Sequence, residues 1–500
     1  MPRPLVASSI AKSPGDNLRP EFPLVEELKP LPDAWQLFQR IAGLPYALFL
    51  DSALRPAATA SQALGRYSFL TADPFEAITA HGACIHITGQ SAAKSRGNPF
   101  EAFADRLERF RTESILGLPP FQGGAAGLFG YDLGGHLEKL PPTPPDDFHV
   151  PDLAIGLYDW TVAFDHALGH AWLISTGFPE QEPRRRLRRA KERMRLVKRW
   201  LSRDVVGAKQ SAYPLPCPEP SFSVPDTSRL LSNFDRAGYL RAVGRVIAYI
   251  EAGDCFQVNL AQRLLYPETG SALDLYGRLR ARNAAPFAGF FDLGDFTILS
   301  ASPERFLRVE NGIVETRPIK GTRGRGDTPE QDQAAAAQLL RSEKDRAENI
   351  MIVDLLRNDL GRVCAFGSVE VPAVCRLESF RHVHHLVSEV RGRLREDASP
   401  VDLLCAAFPG GSVTGAPKIR AMEIIAELEP SARGPYCGSL GYIGFDGTMD
   451  TSILIRTMTH GRGWVQFPVG GGIVADSDPE REYEETWHKA QGLVDAWRDA

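Results

Sequence analysis

The chain has 500 residues, with 57 Lys and Arg against 62 Asp and Glu for a formal charge of −5. Apolar residues at 43% and charged residues at 24% sit at the globular average, which excludes a disordered or collagen-like chain. Without a basic excess, a nucleic-acid partner is not expected. The first nineteen residues carry no continuous apolar core, because Pro2, Pro4, Lys12, Pro14 and Asp16 interrupt them. Nowhere do about 18 uninterrupted apolar residues suggest a membrane span, so a soluble, cytoplasmic protein with no membrane partner is expected.

Residues 1–25 read as a disordered tail and 26–210 as an N-terminal lobe. Leu140-Pro-Pro-Thr-Pro-Pro-Asp-Asp147 is a stiff loop, since proline joins neither helix interiors nor central strands. Arg184–Leu201 repeats Leu187, Ala190, Met194, Val197 and Leu201 at helical spacing, with a basic outer face read as solvated. A linker is placed at 211–230, where five prolines fall between Ser211 and Pro225, and 231–500 is read as the catalytic region. The seven cysteines stand singly, without CxxC or Cys/His pairing, and read as small reduced core residues rather than disulfides or a zinc site.

In the catalytic region a helix is predicted over Arg236–Glu251, then strands at Val258–Leu265, Phe287–Phe291, Phe296–Ser300 and Phe306–Val309. A helix over Ser342–Leu360 is expected to end on Gly361 as a left-handed terminator. Strands follow at Tyr442–Phe445, Ile453–Met458, Trp464–Val469 and Ile473–Val474. Asp478-Pro479-Glu480 opens the last helix, with its apolar stripe at Tyr483, Trp487, Ala490, Val494 and Trp497.

Beside that stripe Glu482, Glu485 and Lys489 share one face. Gly470-Gly471-Gly472 is assigned to the strand-to-helix connection, where glycines admit a ligand close to backbone N–H groups. A carboxylate could rest there and on Lys489, with a metal on Glu485; a plain surface Glu–Lys pair is the alternative. Magnesium takes hard oxygen ligands, which Glu348 and Glu485 would supply if the fold brings their helices together. Gly410 to Lys418 lacks the Walker spacing and is read as an anion cradle opening a helix at Ile419–Glu427. Lys320 lies in Thr316-Arg-Pro-Ile-Lys-Gly-Thr-Arg323, with Arg325 also near. Neighbouring positive charge and desolvation both favour a neutral, nucleophilic lysine; a surface lysine at a strand end is the alternative.

Taken in order, Pro318-Ile-Lys-Gly-Thr322, Ser342 to Leu360, His384-His385-Leu-Val-Ser388, Gly410 to Lys418 and Gly470 to Asp476 resemble the chorismate-utilising enzymes. Gly65-Arg-Tyr-Ser-Phe69 and Gly127-Leu-Phe-Gly-Tyr131 extend the resemblance into the N-terminal half. It implies an α+β fold, a two-lobed αββα sandwich, acting on chorismate with Mg²⁺ held by Glu348 and Glu485 and supported by Glu482. It also implies Lys320 as nucleophile, Glu304 as general acid/base, and His385 near the ring carboxylate. Thr414, Arg456, Lys489 and the backbone of Gly471 and Gly472 would grip the substrate carboxylates. Lys320, where the anthranilate-forming branch usually has Ala, points to the branch that aminates chorismate at C4. Asn283-Ala-Ala-Pro-Phe287 points the same way. Ammonia would come from a separate glutamine amidotransferase subunit. The anthranilate-forming branch is the rival reading, and a silent chorismate-binding regulatory subunit is a rival of another class. Tryptophan, which some family members bind at a Leu-Leu-Glu-Ser stretch, meets Phe49-Leu-Asp-Ser52 here, with a shortened acid.

Overall fold

The computed structural model describes residues 22–54, 64–89, 92–204, 214–225, 227, 229–268, 270–380 and 383–498. Most of the expected tail, 1–21, and parts of the expected linker therefore lie outside the described residues, while a strand already runs at Leu24–Glu27.

Two antiparallel sheets, of 13 and 12 strands among the described residues, form the centre of the molecule. Between them lies a layer built from strand residues such as Leu48, Phe69, Leu128, Phe291, Ile298 and Leu440. Helices cover the outer faces. Those at Ala34–Gln39, Pro183–Leu201, Ala272–Arg282 and Pro479–Arg498 bury their apolar stripes against the first sheet. Those at Pro99–Glu108, Glu343–Gly361 and Pro400–Ala407 cover the second. The expected αββα sandwich is therefore present, each sheet burying both faces.

The halves 26–210 and 231–500 do not keep to separate sheets. In the first sheet Leu48–Asp51 pairs with Phe287–Asp292, matching Phe49 to Phe290. In the second, Gly124–Phe129 pairs with Ser439–Gly444, matching Gly127 to Gly441. At that seam a Cβ on Gly124 would stand 2.4 Å from the Ile443 carbonyl oxygen, so only glycine lets the strands close.

Periodicity placed most elements well. The helix at Arg236–Glu251 has the predicted limits, and Asp235 caps it by accepting from the Gly238 N–H. Asp478 caps the last helix, accepting from the Arg481 N–H at 3.0 Å. Three details differ. Gly361 is not a left-handed terminator: the helix includes it, and Arg362 closes the end in a right-handed conformation. The strand expected over Ile453–Met458 is broken into Met449–Ile453 and Thr457–Gly461, because Arg456 takes a φ of 53°. The three glycines do not form a connection; they lie inside one strand, Trp464–Ile473, where Gly470, Gly471 and Gly472 pair with Ala261, Leu260 and Asn259. Of the cysteines, all free, Cys84 and Cys217 are exposed rather than in the core. No helix among the described residues is long and apolar enough to cross a membrane.

Because each sheet is completed across the halves, a fragment of 231–500 loses one of the two neighbours of Phe287–Asp292 and one of the two of Ser439–Gly444. Expressed alone, it should lack the cooperative thermal transition of the full chain, as circular dichroism would show.

Candidate active site

Lys320 is aimed by a bulge. Its strand, Ile319–Gly324, pairs with Val383–Arg393, but Ile319 meets Val387 and Thr322 meets His385, three residues against two. The extra residue is absorbed at Gly321, with φ of 82°, and such a bulge redirects side chains. Lys320 then faces a cavity of about 770 Å³, also lined by Glu304, Glu348, His385, Arg456 and Glu485. Its Nζ donates to the Ser412 carbonyl at 3.3 Å. The neighbouring arginines turn elsewhere: Arg317 pairs with Glu378, Arg323 with Asp345 and Arg325 with Asp332. They are not what lowers the lysine. Burial does so first, opposed by Glu348 and aided by Lys489.

Glu304 follows Ser302, whose hydroxyl donates to the Ile453 carbonyl at 2.6 Å and fixes the turn. Burial pushes its carboxyl up to about 7, and hydrogen bonding from Ser412 and the charge of Lys320 only partly oppose that. The cavity thus pairs an acid that keeps its proton near neutrality with an amine driven toward losing its own.

Glu348 comes from the helix Glu343–Gly361, whose next residue, Asn349, is fully buried. Asn349 donates to the Leu386 carbonyl at 3.3 Å and accepts from the Ser388 hydroxyl, pinning the helix to the strand that carries His385. Glu482 and Glu485 come from the last helix and line the same cavity. Burial raises Glu348 and Glu482; burial also works on Glu485, but Lys489, paired with it at 2.6 Å, brings it net below the usual range. A Cβ on Gly471 would stand 3.3 Å from Glu482 Oε2 and 3.5 Å from Glu485 Oε1. Glycine therefore leaves a cradle open beside both carboxylates. Hard carboxylate oxygens around it suit a magnesium ion completed by substrate oxygens and water. Among the described residues no three His, Cys, Asp or Glu side chains are placed to hold a metal by themselves.

Arg456 lines the cavity from its left-handed backbone position, a conformation costing about 1–3 kcal/mol that is characteristic of functional sites. Lys489 reaches back to the Gly470 carbonyl at 2.9 Å. His385 Nδ1 lies 2.8 Å from the Thr322 hydroxyl, and burial pushes its imidazole down to about 4, with Arg456 adding to the effect. Thr414 is not brought to the cavity. It is fully buried and its hydroxyl donates to the Gly410 carbonyl at 3.0 Å, so it shapes the loop and has no free face for a carboxylate.

Sequence reasoning missed Asn259, Ser412 and Tyr436, which also line the cavity. The signal for Asn259 was present: Gln257 and Asn259 stand two apart in a buried strand and so share one face. A second, larger cleft of about 1410 Å³ touches Leu50, Asp51, Ser52, Pro286 and Tyr442. There the Asp51 carboxylate already accepts from Arg280 Nε at 2.7 Å and from the Tyr276 hydroxyl at 3.2 Å.

Residues 65–495 match a family model described as chorismate binding enzyme. Aminodeoxychorismate synthase component 1 of Salmonella typhimurium is 44% identical, over 94% of this chain and 98% of its own length. Anthranilate synthase component 1 of Thermus thermophilus is 46% identical, over 76% of this chain and 78% of its own. Anthranilate synthase component I of Streptococcus pneumoniae, solved as a crystal structure, has a TM-score of 0.72 at 33% identity, covering 88% of this chain and 94% of that one. MenF, an isochorismate synthase of Escherichia coli, is alike in fold, with a TM-score of 0.69 at 20% identity, covering 95% of this chain and 94% of that one.

With its imidazole held down to about 4, His385 should keep a constant NMR signature from about pH 8 to about pH 5.5, where an ordinary histidine titrates.

Proposed function

The chain belongs to the family of chorismate-binding enzymes, and from that premise we propose that it converts chorismate and ammonia to 4-amino-4-deoxychorismate. The observation that carries this reading is the buried amine of Lys320 opposite Glu304. In neutral form Lys320 attacks ring C2; the C2–N bond forms, the C1=C2 and C5=C6 double bonds shift to C1=C6 and C4=C5, and the C4–O bond breaks. Glu304, protonated up to about pH 7, gives its proton to the departing hydroxide, which leaves as water. Ammonia then bonds to C4, both double bonds shift back and the C2–N bond breaks, returning Lys320 with the enolpyruvyl ether intact. A covalent intermediate of this kind divides one difficult displacement into two easier ones.

The substrate carboxylates are gripped by Arg456, Lys489 and the backbone around Gly471 and Gly472. His385, neutral at working pH, sits by the ring carboxylate as a hydrogen-bonding partner without adding charge. Glu348 and Glu485 would hold a magnesium ion, with Glu482 supporting it, and the ion would supply charge neutralisation for the ring carboxylate. A glutamine amidotransferase subunit provides the ammonia in the cytoplasm. The designation "component 1" of the Salmonella relative supports a partner. The product would feed 4-aminobenzoate and folate synthesis. Formation of anthranilate is the second reading, favoured by the Thermus relative. A silent subunit has no chemical need for Lys320, Glu304, Glu348 and Glu485 to converge in one cavity.

The purified chain with chorismate, Mg²⁺ and an ammonium salt should yield an aminated product retaining the enolpyruvyl group by mass spectrometry. Lys320→Ala should remove that activity. Anthranilate with free pyruvate would establish the second reading instead. Because Glu304 must hold its proton, the rate should fall as pH rises through about 7, and Glu304→Gln should abolish most of the rate.

A further inference from the structure

Behind the cavity, and lining no part of it, two opposite charges are sealed from water. Arg433 and Glu429 are each 5% exposed. They form a two-point bond, Arg433 Nε to Glu429 Oε2 at 2.9 Å and a terminal nitrogen to Glu429 Oε1 at 2.6 Å. Burying such a pair is costly, and well-packed apolar residues of similar volume often serve stability as well or better. A reason for keeping it lies in what else the pair holds. One terminal nitrogen of Arg433 donates to the Val413 carbonyl at 2.9 Å, and the other donates to the Asn259 carbonyl at 2.8 Å. Glu429 Oε1 accepts from the Ala261 N–H at 2.9 Å. The guanidinium also lies over the ring of Tyr131, 4.7 Å from its centre.

These contacts join two walls of the cavity. Asn259 and Ala261 belong to the strand that pairs with Gly470–Gly472. Val413 belongs to the short turn Gly411–Val413, and its neighbour Ser412 offers the carbonyl that accepts from Lys320. The Asn259 N–H donates to the Thr414 carbonyl at 2.7 Å, closing a second tie between the same walls. A planar guanidinium can reach two carbonyls and a carboxylate at fixed angles, which a lysine ammonium does not reproduce.

We propose that Arg433, oriented by Glu429, is a positioning residue for the chemistry at Lys320: by fixing the 411–414 turn it holds the Ser412 carbonyl where it aligns the lysine amine with the substrate ring. The inference rests on the reading of Lys320 as nucleophile. Of the groups that grip substrate, Arg456 and Lys489 stand on other elements, while Gly472 pairs with Asn259 and is backed by the strand that Arg433 also ties. Loosening the turn therefore slows the attack more than it weakens substrate binding.

The test uses the full chain with chorismate, Mg²⁺ and an ammonium salt, comparing Arg433→Lys and Glu429→Gln with the unaltered protein. The expected result is a kcat lower by about tenfold or more, the scale on which a misplaced reacting group acts, with chorismate affinity by calorimetry changed by much less. An unchanged kcat in a folded variant overturns the proposal. So does weaker chorismate binding with kcat intact, since the pair would then shape the binding wall. Should neither variant fold, Val413→Gly loosens the same turn while leaving the pair in place, and a retained kcat there also overturns it. An unaltered protein that aminates nothing refutes the functional reading and is recognised separately from either result.

Discussion

The removal of charge from water inside one cavity is the constraint on which the rest of the site depends. An ammonium and a carboxylate taken out of water both lean toward their neutral forms. Lys320 and Glu304 are driven in this direction by burial more than by any partner. Neutral amine and protonated acid are also the forms that can attack carbon and donate a proton. The same physics would disable the carboxylates meant for a cation. Glu485 escapes it through Lys489, while Glu348 and Glu482 stay raised. One enclosure thus raises the acid, lowers the amine and gathers the carboxylates together.

Around the cavity the fold meets the cost of buried charge by pairing. Lys418, at the start of the helix Lys418–Leu428, reaches Asp359 and the Ala407 carbonyl, both at 2.7 Å, and so ties that start to the ends of the helices Glu343–Gly361 and Pro400–Ala407. Far from the cavity, Arg193 on the basic helix turns inward to Asp159. Pairs of this kind add little net stability over apolar packing, yet breaking one is severe. They therefore serve geometry more than strength.

Much of this is legible in the amino-acid sequence, and for identifiable reasons. Helix limits follow from apolar spacing and caps, as at Asp235 and Asp478, because those signals act over a few residues. The motifs around Lys320, Glu348, Gly410 and Gly470 carry the resemblance that anticipates the sandwich and the convergence of Glu348 with Glu485. What the sequence does not disclose depends on pairing across the chain. Whether Gly470–Gly472 forms a turn or a strand is decided by Leu260 and its neighbours, some two hundred residues earlier. Arg456 breaks its strand because it bends into a site assembled elsewhere. Thr414 has a suitable side chain in a suitable motif, but the turn directs it into its own loop. The arginines flanking Lys320 suggest a local electrostatic cause, whereas a bulge sends them to other partners.

The seam that joins the two halves also governs when the site comes into being. Strands near residue 50 must find partners near 290, and strands near 127 must find partners near 441. Such distant closures cost loop entropy before they return any contact energy, which makes them late and slow steps in folding. Until they are made, neither of the sheets whose strands carry the cavity's walls is complete. The burial that lowers Lys320 is therefore a property of the finished molecule and not of the nascent chain.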